Sequence, residues 1–201
     1  LTKKIKGMPI IQDVSFKLDE GQIVGLVGAN GAGKTTLMKV ILGLSNYQDG
    51  SYKVRANTNN KSNTGALIES PGVYPFLTGY DNLKLLCESK EKNAIDDIVK
   101  KLKMDRYIHK KAKTYSLGMK QKLGIAIAFL NHPQLIVLDE PMNGLDPKAV
   151  RDVRELIVET AKQGTTFLIS SHILSELVKI TDSILIIDEG KIIKQTTREE
   201  L

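Results

Sequence analysis

Cysteine and long apolar runs are scarce or absent in this sequence, and each absence excludes a class of protein. Cys87 is the single cysteine in 201 residues, so the chain has neither a disulfide framework nor a cysteine-based metal site. No apolar stretch approaches the roughly 18 residues that a membrane-spanning helix needs, and there is no signal-peptide pattern. Any role at a membrane would therefore require a partner chain.

Acidic residues are in the minority, and part of the basic excess lies in one run. The chain has 29 Lys and Arg against 23 Asp and Glu, which gives a formal net charge of +6. The run comprises Lys100, Lys101, Lys103, Arg106, Lys110, Lys111 and Lys113. Such a run could face nucleic acid or lipid headgroups, but we favour a solvated helix face because few aromatic residues interleave it. We expect no nucleic acid partner.

Strand-length apolar runs alternate with helical patterns, which is typical of an α/β protein with a mostly parallel sheet. Strands are predicted at 10–18, 23–27, 51–55, 65–68, 135–138, 165–170 and 183–188, and helices at 36–42, 147–163 and 173–180. Between about 72 and 132 the apolar spacing is helical. We predict a single domain over residues 1–201, with a core at 1–71 and 133–201 and an inserted helical subdomain at about 72–132. We also expect a truncated C-terminus, because the sequence stops in what resembles the start of a helix.

Residues 28–35 read Gly-Ala-Asn-Gly-Ala-Gly-Lys-Thr and match the phosphate-binding pattern G-x-x-x-x-G-K-[ST]. The glycines permit turns that a Cβ would forbid, so that successive N–H groups can point at an anion. Lys34 supplies a positive charge for the β- and γ-phosphates, and the Thr35 hydroxyl suits a Mg²⁺ ligand. We expect nucleotide contacts from Asn30, Gly31, Ala32, Gly33, Lys34, Thr35 and Thr36.

The elements that flank this loop support a phosphate site. An apolar strand pattern at 23–27 precedes it, and a helical pattern begins at Thr36 and can end at Gly43. A strand, a glycine loop and a helix whose N-terminus faces the phosphates form the arrangement that binding needs. A glycine-rich turn without a ligand is the less favoured alternative.

Asp139 and Glu140 follow four apolar residues at 135–138 and are therefore expected at the carboxyl edge of the sheet. Ligands of open α/β sheets bind at that edge. Two acids beside phosphates need a cation, so we predict that Asp139 faces Mg²⁺ and that Glu140 acts as a base or positions water. An Asp-Glu helix cap is the alternative, and the phosphate loop upstream argues against it.

His172 lies just past the predicted strand 165–170. A histidine at this edge could hydrogen-bond a γ-phosphate and so respond to its presence. A satisfied loop histidine is the alternative, and it is the favoured interpretation for His109 and His132.

Together these motifs resemble, over essentially the whole chain, the nucleotide-binding subunit of an ATP-binding cassette (ABC) transporter. Residues 28–35 match the Walker A motif, and 135–141 resemble Walker B with its catalytic glutamate. Residues 144–146, Gly-Leu-Asp, match the D-loop, and His172 matches the switch histidine. The resemblance implies a P-loop NTPase core with a mostly parallel sheet, an N-terminal antiparallel β part and an inserted helical subdomain.

The same resemblance implies ATP and Mg²⁺ as cofactors. The catalytic residues that it implies are Lys34, Glu140 and His172. The metal-binding residues that it implies are Thr35, Asp139 and Glu69.

Residues 115–119, Tyr-Ser-Leu-Gly-Met, lie where the family carries its Leu-Ser-Gly-Gly-Gln signature. Ser116 can cap the helix that runs to about Leu130, and Gly118 allows a backbone or a phosphate to approach closely. The residues alone do not say whose phosphate that is. The resemblance implies the γ-phosphate bound by the other subunit of a head-to-tail homodimer, so that Ser116 and Gly118 act in trans. An ordinary capped helix is the alternative.

The sequence departs from the family pattern at three places. The signature keeps only its Ser and Gly, and Ile5 lies where many relatives place an adenine-stacking aromatic residue. Glu69 occupies the position of the Q-loop glutamine. Glu69, with the stretches 69–83 and 115–121, resembles the bacitracin and lantibiotic self-protection branch.

The function that the resemblance implies is an ATPase that drives a separate integral membrane permease and lies, through it, on the cytoplasmic face of the cell membrane. The branch implies that the transporter expels a peptide antibiotic. A soluble cassette protein of translation or DNA maintenance is the alternative, but such proteins typically join two cassettes or carry a long coiled coil. A GTPase is disfavoured because the guanine-reading motif Asn-Lys-x-Asp is absent.

Overall fold

The computed structural model describes residues 1–53, 64–88, 93–197 and 200. The elements, in chain order, are β1 (Lys3–Ile5), β2 (Met8–Ile11), β3 (Ile23–Val27), α1 (Lys34–Ile41), β4 (Thr64–Leu67), α2 (Gly79–Leu86), α3 (Ala94–Lys101), a short 3-10 helix (Ala112–Thr114), α4 (Leu117–Phe129), β5 (Leu135–Asp139), α5 (Pro147–Ala161), β6 (Thr166–Ser171), α6 (Leu174–Leu177), β7 (Ser183–Asp188) and β8 (Lys191–Thr197). This order confirms the predicted α/β class, with a helical stretch between β4 and β5.

The main sheet has the strand order β4-β5-β6-β3-β7-β8, and only β8 runs antiparallel to its neighbour. A separate antiparallel pair, β1 and β2, forms the predicted N-terminal β part. In the parallel ladders Asp139 of β5 lies opposite Ser170 of β6, and Val27 of β3 lies opposite Ser171. The carboxyl ends of these three strands therefore meet at one edge, where the phosphate loop also begins.

Helices cover the faces of the central strands, and this burial explains the apolar runs in the sequence. Every residue of β5 and β6 is buried, as expected for parallel strands that are covered on both sides. Leu37 and Met38 of α1 pack in one cluster with Val24 and Leu26 of β3. The helical stretch packs in the other cluster, together with Phe167 of β6. These clusters hold the phosphate loop and the strand ends in fixed positions.

Two helices of the helical stretch, α2 and α4, begin with side-chain caps. Thr78 accepts a hydrogen bond from the Asp81 N–H at the start of α2, and Ser116 accepts one from the Met119 N–H at the start of α4. The caps support the helices that the sequence predicts at these positions. The division into a core and a helical subdomain stays an interpretation, because one apolar cluster extends across both.

Two element predictions were partly wrong. The predicted strand at 10–18 exists only as β2, which ends at Ile11. Val14 is buried as the alternating pattern requires, but Asp13 has a φ of 49° and this left-handed residue ends the ladder. The predicted helix at 173–180 is reduced to α6, Leu174–Leu177, after which Ile180 donates to the Leu177 carbonyl in an i→i+3 turn.

Two further predictions concern residues that lie partly or wholly outside the described ranges. Residues 51–53 are not in a strand, and the rest of the predicted strand at 51–55 lies outside the described residues. The expected C-terminal helix start at Leu201 also lies outside them. Within the described residues, no helix combines the length and the apolar character that crossing a membrane requires.

Gly65 of β4 packs directly against the backbone of α4. A Cβ at Gly65 would lie 1.8 Å from the Ala128 carbonyl oxygen. We expect Gly65→Ala to destabilise the fold by about 1–3 kcal/mol or more, because the helix backbone must move. Thermal unfolding measures this loss. Gly72→Ala is the matched control, since a Cβ there meets nothing within 4 Å, and an equal effect of both changes would contradict the packing argument.

Candidate nucleotide-binding and hydrolysis site

The loop between β3 and α1 has the tight geometry that its glycines permit. A Cβ at Gly28 would lie 2.3 Å from the Ile187 carbonyl oxygen, so no side chain fits there. Gly33 has a φ of 105° and stands at the N-cap of α1, a conformation that favours glycine. The loop thus brings the N-terminus of α1 to the carboxyl edge of the sheet.

This loop borders a cavity of about 210 Å³. Its lining residues are Ile10, Asn30, Gly31, Gly33, Lys34, Thr35, Thr36, Asp139 and Glu140. No acidic residue lies in the first turn of α1, so the helix N-terminus keeps its attraction for an anion. Of the predicted loop residues, Ala32 is the exception. It is buried, and its carbonyl accepts a hydrogen bond from the Gly190 N–H at 2.9 Å.

Lys34 is buried and directs its ammonium along the loop. Its Nζ donates to the Gly28 carbonyl at 2.6 Å and to the Ala29 carbonyl at 3.2 Å. The same Nζ lies 3.8 Å from Oε1 of Glu140. A buried ammonium requires such partners, and these partners hold its charge beside the cavity.

The Asp139 carboxylate is buried, and each of its oxygens accepts a hydrogen bond from a hydroxyl group. Thr35 Oγ1 donates to Oδ2 at 2.7 Å, and Ser170 Oγ donates to Oδ1 at 2.5 Å. Ser170 Oγ also accepts from the Glu140 N–H at 2.9 Å. The side chains of α1, β5 and β6 are thereby connected around one carboxylate, and the two residues predicted to bind Mg²⁺, Thr35 and Asp139, lie in direct contact.

Glu140 lies between a lysine and a histidine. Oε2 of Glu140 is 2.9 Å from Nδ1 of His172, while its other oxygen faces Lys34. The structure therefore brings together the three residues that the sequence predicts to be catalytic. The backbone of Glu140 has a φ of 50°, a conformation that is uncommon for a residue with a Cβ and that recurs at functional sites.

Glu69 lies elsewhere. Its Oε1 is 2.6 Å from Nζ of Lys39 on α1, and its side chain is 63% exposed. Glu69 is not among the residues that line the cavity. Among the described residues no group of three or more His, Cys, Asp or Glu could hold a metal ion. A role of Glu69 as a metal ligand stays a prediction.

Ser116 and Gly118 lie at the start of α4 and are not among the cavity's lining residues. A Cβ at Gly118 would lie 2.9 Å from the Gly144 carbonyl, so the signature helix contacts the D-loop of its own chain. Tyr115 fixes the residues before the helix, because its hydroxyl donates to the Tyr107 carbonyl at 2.9 Å. Burial raises the pKa of Tyr115, so the hydroxyl stays a donor.

The D-loop ends in a capped helix. Asp146 accepts hydrogen bonds from the N–H groups of Ala149 and Lys148, each at 2.9 Å. The hydrogen bond from Ala149 is the main cause that lowers the pKa of the Asp146 carboxyl. Asp146 thus begins α5 as an ionised N-cap.

Sequence reasoning missed three residues of the site. In the sequence, Ser170 ends one predicted strand, Ile10 belongs to another, and Gln121 falls in the signature stretch. No local pattern marks any of the three as a residue of the site. Gln121 is buried, and its Nε2 donates to the carbonyls of Glu140 and Pro141 at 3.3 and 3.2 Å. The one signal in the sequence that could have identified Gln121 is its polar side chain within a largely apolar helix.

Curated relatives match most or all of this chain. A protein of Bacillus subtilis (strain 168), the uncharacterized ABC transporter ATP-binding protein YdbJ, is 42% identical over 96% of this chain and 66% of its own length. The bacitracin transport ATP-binding protein BcrA of Enterococcus faecalis is 38% identical over 100% of this chain and 68% of its own length. The lantibiotic transport ATP-binding protein SrtF of Streptococcus pyogenes is 38% identical, with coverage of 96% and 86%. The chain thus spans about two thirds of the length of the first two relatives.

Solved structures share the fold. The structure of an ATP binding subunit of an ABC transporter gives a TM-score of 0.88 at 30% identity, over 98% of this chain and 87% of that chain. A dimeric post-hydrolysis state of the ATP-binding cassette MJ0796, bound to ADP and Pi, gives a TM-score of 0.84 at 20% identity, over 98% and 95%. The second likeness concerns the fold alone.

A parallel sheet that ends in a phosphate loop and an adjoining carboxylate pair defines the class of P-loop ATPases. The family model described as ABC transporter matches residues 11–143. The chain therefore belongs to the ABC transporter family, as an ATP-hydrolysing subunit. The predicted resemblance to the bacitracin and lantibiotic branch is also confirmed, because relatives with those names match nearly the whole chain.

The contacts of Ser170 generate a prediction. We expect Ser170→Ala to reduce ATP hydrolysis by about 10- to 100-fold, the range for groups that orient a metal ligand, because Asp139 loses a donor. Phosphate release at saturating ATP measures the change. Ser183→Ala, on β7 and separated from β6 by β3, is the matched control for loss of a buried hydroxyl. Equal activity of the two variants would contradict the assigned role.

Proposed function

We propose that the whole protein hydrolyses ATP to drive a separate integral membrane permease, and that this transporter expels a peptide antibiotic such as bacitracin or a lantibiotic. The observation that carries the hydrolytic part is the contact of Glu140 with both Lys34 and His172 at the phosphate loop. The substrate class rests on the printed names of relatives such as BcrA and SrtF. These transport names favour the permease partner over a soluble role in translation or DNA maintenance.

Phosphate binding follows from the loop and α1. The loop N–H groups and the helix N-terminus attract the β- and γ-phosphates, and the Lys34 ammonium adds a full charge beside them. The exposed Ile5 on β1 offers the adenine an apolar contact without an aromatic face. We therefore assign binding energy mainly to the phosphates.

The residues present also fit Mg²⁺. Thr35 and Asp139 bring a hydroxyl and a carboxylate together 2.7 Å apart at the cavity, and Mg²⁺ prefers such hard oxygen ligands. Mg²⁺ would neutralise phosphate charge when bound. Ser170 orients the Asp139 carboxylate by donating to its other oxygen.

Glu140 is the residue that we assign to water. Its carboxylate can accept a proton from a water molecule that attacks the γ-phosphate, or orient that water. His172 holds one carboxylate oxygen through Nδ1, so the imidazole restrains the direction of the other oxygen. Loss of the γ-phosphate would change the surroundings of His172 as well, which connects hydrolysis to the loop after β6.

A homodimer would complete the site. Ser116 caps α4 and leaves the helix N-terminus near an exposed Leu117, whose side chain is 68% exposed. We assign Ser116 and Gly118 to the γ-phosphate held by the partner subunit. The related cassette MJ0796 forms a nucleotide-bound dimer, which supports this arrangement. Through the permease, the protein would lie on the cytoplasmic face of the membrane, and copurification of a membrane subunit tests that partner.

Replacement of Glu140 tests the hydrolytic assignment. We expect Glu140→Gln to bind ATP but to hydrolyse it about 10²–10⁴-fold more slowly, because a positioned base is lost. Phosphate release and ATP binding are measured side by side. Glu155→Gln removes an exposed carboxylate from α5 and serves as the control. Wild-type turnover in Glu140→Gln would contradict the assignment.

Complementation between subunits tests the shared site. Lys34→Ala disables phosphate binding, and Ser116→Arg blocks the approach of the partner's nucleotide. A mixture of the two inactive proteins should regain partial activity, because one of the two composite sites in each heterodimer is intact. Phosphate release from tagged, purified heterodimers measures it. Purified heterodimers without activity would count against contributions in trans.

A further inference from the structure

Helix α1 makes two polar contacts from one face. Thr35 and Lys39 are four residues apart and therefore lie above one another on the helix. Thr35 contacts Asp139 at the end of β5, and Lys39 contacts Glu69 just after β4. Because β4 and β5 are adjacent parallel strands with Leu67 opposite Leu138, both acceptors lie at the carboxyl ends of neighbouring strands. The phosphate-loop helix is thus attached to both.

The backbone at Glu69 is unusual in a way that supports a function. Glu69 has a φ of 60°, and the Ser70 N–H donates to the Ile68 carbonyl at 2.7 Å. This places Glu69 at the centre of a three-residue turn, a strained conformation for a residue with a Cβ. The turn and the 2.6 Å contact with Lys39 together fix the carboxylate against α1.

A divalent cation bound at the nucleotide site would compete with Lys39 for this carboxylate. Asp139 and Glu140 line the cavity, whereas Glu69 does not. A divalent cation held at Thr35 and Asp139 would attract a third carboxylate at the same sheet edge. Oε1 of Glu69 already makes a charge-assisted contact of 2.6 Å with the Lys39 ammonium. To bind the divalent cation through this oxygen, Glu69 must break that contact.

We propose that Lys39 is a positioning residue that holds Glu69 on α1 and competes with the divalent cation for its carboxylate. The affinity of the nucleotide site for Mg²⁺ is then set partly by an ion pair outside the cavity. The proposal rests on the proposed function, in that Mg²⁺ accompanies the nucleotide. Lys39 itself is not among the residues that line the cavity.

The test uses nucleotide binding without hydrolysis. The ratio of the ADP dissociation constants measured without and with Mg²⁺ reports how strongly the metal supports the nucleotide. Lys39→Met should raise this ratio by about two- to fivefold, the range that an exposed ion pair supports. Lys39→Arg keeps the charge and is the matched control, with a ratio close to that of the wild type. Isothermal calorimetry measures the two constants of each protein.

A double-mutant cycle separates this mechanism from a general effect of charge. In the presence of Glu69→Gln, the change Lys39→Met should leave the ratio unaltered, because no carboxylate is released. An unchanged ratio in Lys39→Met alone, or an equal rise with and without Glu69→Gln, would overturn the proposal. Lys39→Gln replaces Lys39→Met if thermal unfolding shows that the latter does not fold. Because ADP is not hydrolysed, the result is independent of whether Glu140 catalyses hydrolysis.

Discussion

The buried carboxylate of Asp139 holds together the three elements on which the site depends. It joins α1 through Thr35 and β6 through Ser170, while its own strand β5 lies between β4 and β6 in the sheet. A buried carboxylate without donors would be costly, and here two hydroxyls satisfy it. The same charge that makes Asp139 suited to a cation therefore also requires the packing that orients the phosphate loop.

The conformation of Glu140, the residue that follows β5, depends on the same hydrogen bonds. Ser170 donates to Asp139 and accepts from the Glu140 N–H, so the conformation of Glu140 depends on the same hydroxyl. The Glu140 carboxylate then lies between Lys34 and His172. An arriving phosphate adds negative charge beside two carboxylates, and Lys34 alone cannot balance it. A divalent cation is the physical requirement that this charge distribution creates.

The sequence predicts those parts of the site that depend on neighbours in the chain. The phosphate loop, the cap at Ser116 and the carboxylates at the end of β5 are local patterns, and each lies where it was expected. The role of Ser170 depends on the register between β5 and β6, which no local pattern specifies. The contact of Lys39 with Glu69 likewise depends on how α1 is rotated over the sheet. The strand predicted at 10–18 failed because alternating burial does not require a ladder, and Asp13 interrupts it.

Contacts connect the helical stretch to the residues that follow β5, so that the two cannot move independently. Gln121 of α4 donates to the carbonyls of Glu140 and Pro141, and Gly118 approaches the Gly144 carbonyl so closely that no side chain fits. An ion pair between Lys103 and the buried Asp152 joins the residues after α3 to α5. A displacement of α4 therefore shifts the backbone of Glu140 directly. This physical connection lets the position of the signature helix affect the geometry of hydrolysis within one chain, before any partner subunit contributes.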